Sequence, residues 1–221
     1  MIRRFRLVAI AAAVSLVAGR AVAQNDRIVK GTVTLPPDSG SVKDVVVYLS
    51  DLEARSDQRE RTIEETPTAG PIEGTVGTPT ASKASFDQKN MTFIPHVLPV
   101  AVGSTVDFLN GDDVMHNVFS NSATKRFDLG MVKRGESRSV SFDKPGIVEL
   151  RCNVHPTMHA FIFVLANNYF ATPDERGSYQ ITGLPAGRYK LRAWHESLPP
   201  IETWANLDDA TLRAIDLKFT R

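Results

Sequence analysis

The sequence predicts an all-β protein, and three observations support this fold class. Short segments that alternate apolar and polar residues, or are wholly apolar, follow one another along most of the 221 residues; RIVKGTVTL and DVVVYL are the first two. Turn-forming clusters such as PDSG separate them. Beyond the first 23 residues the pattern contains no convincing helix, except one turn near LDDATL. Many short strands with closely spaced turns indicate a β-sandwich.

Residues 1–23 have the features of a secretory signal peptide. MIRRFR is basic, LVAIAAAVSLVAG is apolar, and AVA at 21–23 is a small-x-small cleavage site. The apolar run is shorter than the roughly 20 residues that a membrane-spanning helix needs. We therefore expect cleavage after Ala23, a periplasmic location and no membrane span in the cleaved protein.

Charge and cysteine content restrict the function. Cleavage of the signal peptide removes four of the 26 basic residues. The remaining 22 basic residues and 25 acidic residues give the cleaved protein a net charge of about −3. Nucleic-acid binding calls for a clustered basic face, so we expect no nucleic-acid partner. Cys152 is the only cysteine and has no partner for an internal disulfide. A free thiol in an oxidising compartment is either buried and inert or bound to another group.

The strand pattern divides the rest of the chain into four segments. Residues 24–51 contain the first strands. Residues 52–85 begin charged and end rich in Pro, Gly, Thr and Ser; they lack the apolar residues that offset ordering entropy, which predicts a mobile surface excursion. Strands return over 86–165. Residues 166–221 form a last β module with alternation around an LPAG turn.

The stretch RCNVHPTMHAF, residues 151–161, contains the strongest chemical pattern. Cys152, His155 and Met158 follow at intervals of three residues in a loop between two predicted strands, and His116 lies in a comparable loop after STVDFLN. Two imidazoles and one thiolate with a weak thioether are the ligand set of a blue-copper centre. We therefore expect one type 1 copper ion at these four residues.

A zinc site, a different copper centre and an inert cysteine all fit these residues less well. Zinc takes Cys and His, but methionine is a poor zinc ligand and the loop has no carboxylate. The dinuclear copper centre of respiratory oxidases needs two cysteines, and multicopper oxidases carry His-x-His pairs, which this sequence lacks. Burial in the core would account for an inert Cys152, but not for the spacing of His155 and Met158.

The pattern F-x-P…V-x-V-G-x-x-V-x-F-x-N…H-N-V…C-x-x-H-P-x-M, from Phe93 to Met158, resembles the cupredoxin (blue copper protein) family. The loop CNVHPTM is most similar to that of amicyanin and plastocyanin. The resemblance implies a Greek-key β-sandwich and copper ligation by His116, Cys152, His155 and Met158. It also implies that Asn117 helps to hold the thiolate through hydrogen bonding.

The flanking segments resemble another family. The pattern D-x-x-G-x-Y-x-I-x-x-L-P-x-G-x-Y-x-L after residue 173 is similar to the second half of a carboxypeptidase regulatory-like (transthyretin-type) β-sandwich, and residues 31–49 look like its first half. We expect a nested arrangement, in which the cupredoxin is inserted into this small sandwich. The rival is a larger cupredoxin that begins near residue 27 and ends in a small appendage. In either case we expect the module to be a support without an active site.

These features predict a periplasmic electron-transfer protein that cycles between Cu(I) and Cu(II) and is not an enzyme. The expected partners are redox proteins such as c-type cytochromes or a periplasmic dehydrogenase. His155 would be the electron port, and its expected docking patch consists of Val114, Met115, Val154 and Pro156. The alternative is a copper delivery or resistance protein without redox turnover, although such proteins usually contain Met- or His-rich tracts. A small copper enzyme would need an open ligand position that four protein ligands do not leave.

Three further histidines are not expected to bind the copper ion. His96 is expected to be a packed or surface strand residue. His159 follows Met158, and because successive strand side chains point to opposite faces, we expect it at the surface rather than as a fifth ligand. His195 has no metal partner in the sequence. The sequence leaves open whether His96 or His159 binds a second metal.

Overall fold

A computed structural model of the protein describes residues 26–53, 79–208 and 210–221. Within these residues the chain forms seventeen β-strands and one 3-10 turn, Val42–Asp44. The predicted all-β fold class is therefore confirmed. No helix in this described part is long and apolar enough to cross a membrane. The predicted signal peptide lies outside the described residues.

Nine strands form the first sandwich, which contains the predicted ligands. One sheet has the order β5 (Val97–Ala101), β11 (His159–Leu165), β10 (Gly146–Arg151), β7 (His116–Asn121) and β8 (Arg126–Val132). The other has the order β4 (Thr92–Ile94), β3 (Lys83–Lys89), β6 (Ser104–Asn110) and β9 (Ser137–Phe142). Their alternating inward side chains form one core, whose largest members are Phe86, Phe93, Phe108, Phe142, Leu150 and Ile162.

Eight strands from the two ends of the chain form the second sandwich. In one sheet β1 (Arg27–Thr34) lies between β13 (Ser178–Leu184) and β16 (Leu212–Ala214), and also pairs with β17 (Leu217–Lys218). The other has the order β12 (Phe170–Ala171), β2 (Val46–Glu53), β14 (Arg188–His195) and β15 (Leu198–Asn206). A nested arrangement requires early strands to pair with late ones, and the β1–β13 and β2–β14 pairs are of this kind.

The predicted excursion over 52–85 is too long at both ends. β2 continues to Glu53, which pairs with Arg188, and β3 begins at Lys83, which pairs with Thr105. Backbone pairing with a neighbouring strand orders these polar residues, and such pairing does not depend on the apolar content used for the prediction. The strands of the first sandwich consequently begin three residues before the predicted boundary at 86. The centre of the excursion lies outside the described residues.

The two sandwiches pack against each other through β11. Ile162 faces the core of the first sandwich, whereas Phe161 and Phe163 point the opposite way, toward β2 and β14. The Trp194 ring lies edge-on to both, with centroid distances of 5.6 and 5.5 Å, and the Tyr48 ring lies 5.1 Å from that of Phe163. Both faces of β11 are thus covered, which explains why AFIFVL, residues 160–165, is a continuous apolar run.

Candidate metal centre

Asn110 shapes the loop that leads from β6 to His116. Its side chain is fully buried, and its Nδ2 donates hydrogen bonds of 2.8 Å to the carbonyl oxygens of Val114 and Val132. Its Oδ1 accepts a hydrogen bond of 2.9 Å from the amide of Asp112. These contacts hold a tight connection at the end of the sandwich. β7 therefore begins at His116, whose ring is buried inside the sandwich.

A carboxylate fixes the His116 ring. Its Nε2 lies 2.7 Å from Oδ2 of Asp112, and the ring is 0% exposed. Asp112 also accepts hydrogen bonds from the amides of Asn90 and Met91, at 2.6 and 2.9 Å. Burial raises the pKa of Asp112, but the hydrogen bonds from Met91, His116 and Asn90 outweigh it and keep that pKa below its usual value. An ionised Asp112 keeps the His116 proton on Nε2 and leaves the lone pair of Nδ1 free for a metal.

The second ligand-bearing segment joins β10 to β11. Cys152 directly follows β10, Met158 directly precedes β11, and both are buried in the core of the first sandwich. The amide of Met158 donates a hydrogen bond of 3.0 Å to the carbonyl of His155, which closes the loop as a turn. His155 is half-buried, and Pro156 after it is exposed. The loop therefore has two buried ends and a tip at the surface.

The two segments bring three ligand atoms together. Sγ of Cys152 lies 4.0 Å from Nδ1 of His116 and 3.9 Å from Nδ1 of His155, and the two nitrogens are 3.0 Å apart. A thiol and two imidazole nitrogens in one small, largely buried space are a donor set that fits copper. Met158 contributes a thioether to the same buried cluster as Cys152. Three of the predicted ligands thus converge, and the fourth is buried in the same core cluster as the thiol.

The side chain of Asn117 makes hydrogen bonds other than the expected one to the thiolate of Cys152. Both donors of its side-chain amide are used elsewhere: Nδ2 donates to Oδ1 of Asp128 at 2.6 Å and to the carbonyl of Gly130 at 3.2 Å. The amide therefore ties β7 to β8 instead of donating to the thiol of Cys152. Asn117 follows His116 directly, so these contacts act on β7 next to a proposed ligand.

The predicted docking residues lie at the surface. Val114, Met115 and Val154 are each close to half exposed, at 49%, 49% and 46%. Pro156 is also exposed. Met91, whose amide contacts Asp112, is exposed as well and was not predicted. Large apolar side chains in such exposed positions are typical of interaction surfaces when they lie together.

Comparison with known families agrees with this site. Residues 80–165 match the family described as copper binding proteins, plastocyanin/azurin family. This part of the chain is a cupredoxin domain. Its cofactor is copper, and the matched range contains all four predicted ligands. The cupredoxin domain begins six residues earlier than the predicted boundary at 86.

Solved structures of copper proteins are similar to this chain. A reduced mutant of amicyanin is 26% identical over 37% of this chain and 80% of its own, with a TM-score of 0.35. A purple cupredoxin from Nitrosopumilus maritimus is 23% identical over 37% of this chain and 99% of its own, with a TM-score of 0.35. A copper-containing nitrite reductase from Thermus scotoductus is 26% identical over 45% of this chain and 25% of its own, with a TM-score of 0.36. No curated protein matches the chain.

The sequence reasoning missed Asp112. The available signal was a carboxylate four residues before a candidate ligand, in the same short loop.

His195 lies away from the copper site, in the second sandwich. Its side chain is 3% exposed, and its Nδ1 accepts a hydrogen bond of 3.3 Å from the amide of Ser197. Burial lowers the pKa of His195, which suits a neutral ring in that position.

Proposed function

We propose that the protein is a periplasmic type 1 (blue) copper electron-transfer protein that cycles between Cu(I) and Cu(II). The observation that supports this most is the convergence of Cys152 Sγ with Nδ1 of His116 and His155 at 3.0–4.0 Å. A fixed set of soft sulfur and imidazole ligands serves both oxidation states, so little has to move when an electron is exchanged.

Each ligand has its own task in this proposal. His116, Cys152 and His155 would hold the metal, and Met158 would add a weak thioether donor. Bound copper supplies the one-electron chemistry. His116, Cys152 and Met158 are buried, which keeps these three side chains away from water. His155 is half-buried, which leaves its ring edge as the port for the electron.

The docking surface in this proposal is the apolar patch formed by Val114, Met115, Val154 and Pro156. Redox encounters are typically weak and use small interfaces. A patch without a strong charge suits such contacts, and the partners we propose are c-type cytochromes or a periplasmic dehydrogenase. Four protein ligands leave no open position for a substrate, so we propose a carrier and not an enzyme.

We further propose that the second sandwich is a carboxypeptidase regulatory-like module that supports the cupredoxin domain. Its strands come from residues 27–53 and 170–218, and its outer face covers Phe161 and Phe163 of β11. Because β11 begins directly after Met158, this support also steadies one end of the ligand loop.

The absorption spectrum of the copper-loaded protein tests the site. We expect an intense visible band from thiolate-to-copper charge transfer, because Cys152 supplies the thiolate. Cys152→Ser removes the band, whereas Ser122→Ala, a change of similar size outside the loop, keeps it. A spectrum unchanged by Cys152→Ser would refute the proposed site.

Electron self-exchange distinguishes a carrier from a delivery protein. A carrier with prearranged ligands exchanges electrons fast and has almost the same backbone with and without copper. We expect both results. Slow exchange, together with a 152–158 loop that becomes ordered only when copper binds, would favour copper delivery or resistance instead.

A further inference from the structure

A second group of side chains with potential metal-ligand atoms lies on the surface, apart from the proposed copper ligands. His96, His159 and Glu196 each offer one ligand atom, and these atoms lie within 4.8 Å of one another. Nε2 of His96 is 2.8 Å from Oε1 of Glu196, and Nε2 of His159 is 3.7 Å from Oε2 of the same carboxylate. The carboxylate thus presents one oxygen to each imidazole.

The three residues come from both sandwiches. His96 lies in the short connection between β4 and β5, and His159 is the first residue of β11. Glu196 lies in the turn between β14 and β15 of the second sandwich. It is thus on the other side of the seam, the boundary along which the two sandwiches pack together. The group is therefore assembled only when the two sandwiches pack together.

The two imidazoles are held in place by neighbouring groups. Their rings are 5.1 Å apart and nearly perpendicular, at 87°. The Phe161 ring lies edge-on to both, at 5.7 and 6.2 Å, and the amide of Phe161 donates a hydrogen bond of 2.9 Å to the carbonyl of His96. The rings are thus supported by β11, although each side chain is partly exposed, 23% for His96 and 43% for His159.

The tautomer of His159 suits metal binding. Its Nδ1 is 3.2 Å from the carbonyl oxygen of Thr157, and a carbonyl oxygen only accepts hydrogen bonds. The proton of a neutral His159 therefore lies on Nδ1, and the lone pair of Nε2 points toward Glu196. This is the usual arrangement of a metal-binding imidazole, whose other nitrogen donates to a carbonyl or carboxylate.

The surrounding charge also favours a cation. The Asp44 carboxylate lies close enough to interact electrostatically with His96, Glu196 and His195. Two carboxylates therefore act on this corner of the seam. Without a cation, His96 and Glu196 form an ion pair only when the imidazole is protonated, whereas a divalent cation would neutralise the charge of Glu196 with the imidazoles neutral.

We propose that His96, His159 and Glu196 bind a divalent cation of the zinc type across the seam between the two sandwiches. Two imidazole nitrogens and one carboxylate oxygen are common zinc ligands, and solvent completes the coordination at this exposed position. Calcium and magnesium prefer all-oxygen sites, which this group is not. The bound ion would fasten the cupredoxin domain to the second sandwich.

Zinc titration of the copper-loaded protein, measured by calorimetry while the visible band is recorded, tests the site. We expect one Zn²⁺ to bind with the copper band unchanged. Loss of even an outer-shell partner typically weakens metal binding by 10–100-fold, so Glu196→Gln and His159→Gln should weaken it by about tenfold or more. Glu202→Gln, an exposed carboxylate in the next strand that pairs with Arg192, is the matched control and should bind zinc normally.

Thermal unfolding gives a second readout. Zinc should raise the unfolding temperature of the unmodified protein and not that of Glu196→Gln, because a ligand stabilises the folded state it binds. The comparison of the unmodified protein with Glu196→Gln does not depend on copper, so it tests this site even if copper fails to bind at His116 and His155. If no zinc binds, the contact between the two histidines and Glu196 is an ion pair only, and the proposal is wrong. Equal affinity in Glu196→Gln, or loss of the copper band as zinc enters, would also overturn the proposal.

Discussion

Nε2 of His116 lies 2.7 Å from Oδ2 of Asp112, and this carboxylate is itself held by the amides of Asn90 and Met91. Asp113, the next residue, instead extends into solvent and pairs with Arg134. Two adjacent carboxylates therefore differ in their relation to the proposed copper ligand His116: one contacts it and the other does not. One determines where the His116 proton lies, and the other contributes only surface charge.

Asp112→Asn should weaken copper binding by roughly 10–100-fold and raise the reduction potential. The anionic carboxylate makes the His116 ring a stronger donor, and a stronger donor stabilises Cu(II) more than Cu(I). Copper affinity and potentiometry are the measurements. Asp113→Asn removes the same charge one residue away and should change neither property; equal effects of the two substitutions would mean that only the overall charge matters.

Met158→Leu should keep the visible band and raise the reduction potential, because a weak donor to Cu(II) is lost while thiolate and imidazoles remain. Leucine has a similar volume, so the core around this buried residue is expected to tolerate it. Met131→Leu, at an exposed position, is the control. A potential that does not move in Met158→Leu would show that Met158 does not donate to the copper ion.

Replacement of each histidine ligand by glycine should give different outcomes with added imidazole. His155 is half-buried at the loop tip, so imidazole from solvent should refill the gap in His155→Gly and restore the band. His116 is fully buried, so His116→Gly should not be restored at the same imidazole concentration. The visible spectrum is the measurement, and restoration of both or of neither would contradict the assignment of His155 as the exposed ligand.

Pro156→Asp should slow the reaction with a redox partner and leave the visible spectrum nearly unchanged. It places a charge in the apolar patch beside His155 and not among the ligands. Stopped-flow oxidation by a c-type cytochrome measures the rate. Pro37→Asp, at an exposed position of the second sandwich, makes the same chemical change elsewhere. Equal rates for the two variants would argue against this docking surface.

Trp194→Ala should lower the free energy of unfolding by about 2–4 kcal/mol, because the ring that packs against Phe161 and Phe163 is lost from the seam. Trp204 is the other tryptophan of the chain; it is 37% exposed and lies under the Arg188 guanidinium at 4.3 Å. Trp204→Ala should cost only about 0.5–1 kcal/mol. Urea unfolding followed by circular dichroism measures both, and equal losses would contradict a stabilising seam.

The proposed copper ligands could be singled out from the sequence because their chemistry is concentrated in few residues. Cys152, His155 and Met158 lie within seven positions, and only His116 has to be added from another loop. The hydrogen-bond partner of His116 was harder to identify. Asp112 is near in sequence, but its contact depends on how Asn110 folds the loop.

The seam group could not be predicted, because its members are distant in sequence. His96 and Glu196 are 100 positions apart, and nothing in the local pattern of either residue indicates the other. The predicted boundaries of the 52–85 excursion were wrong for a related reason. Their order comes from pairing with neighbouring strands, which composition does not reveal.

The pairing of β1 with β13 has a consequence for how the chain reaches its native state. Arg27 lies opposite Leu184, so the two strands meet across about 150 intervening residues, and such distant contacts form slowly. The strands of the cupredoxin domain are nearer to one another in sequence and can associate first. We therefore expect β1 and β2 to stay unpaired, with exposed apolar side chains, until the last strands have been synthesised. During that interval they are the segments most prone to aggregate.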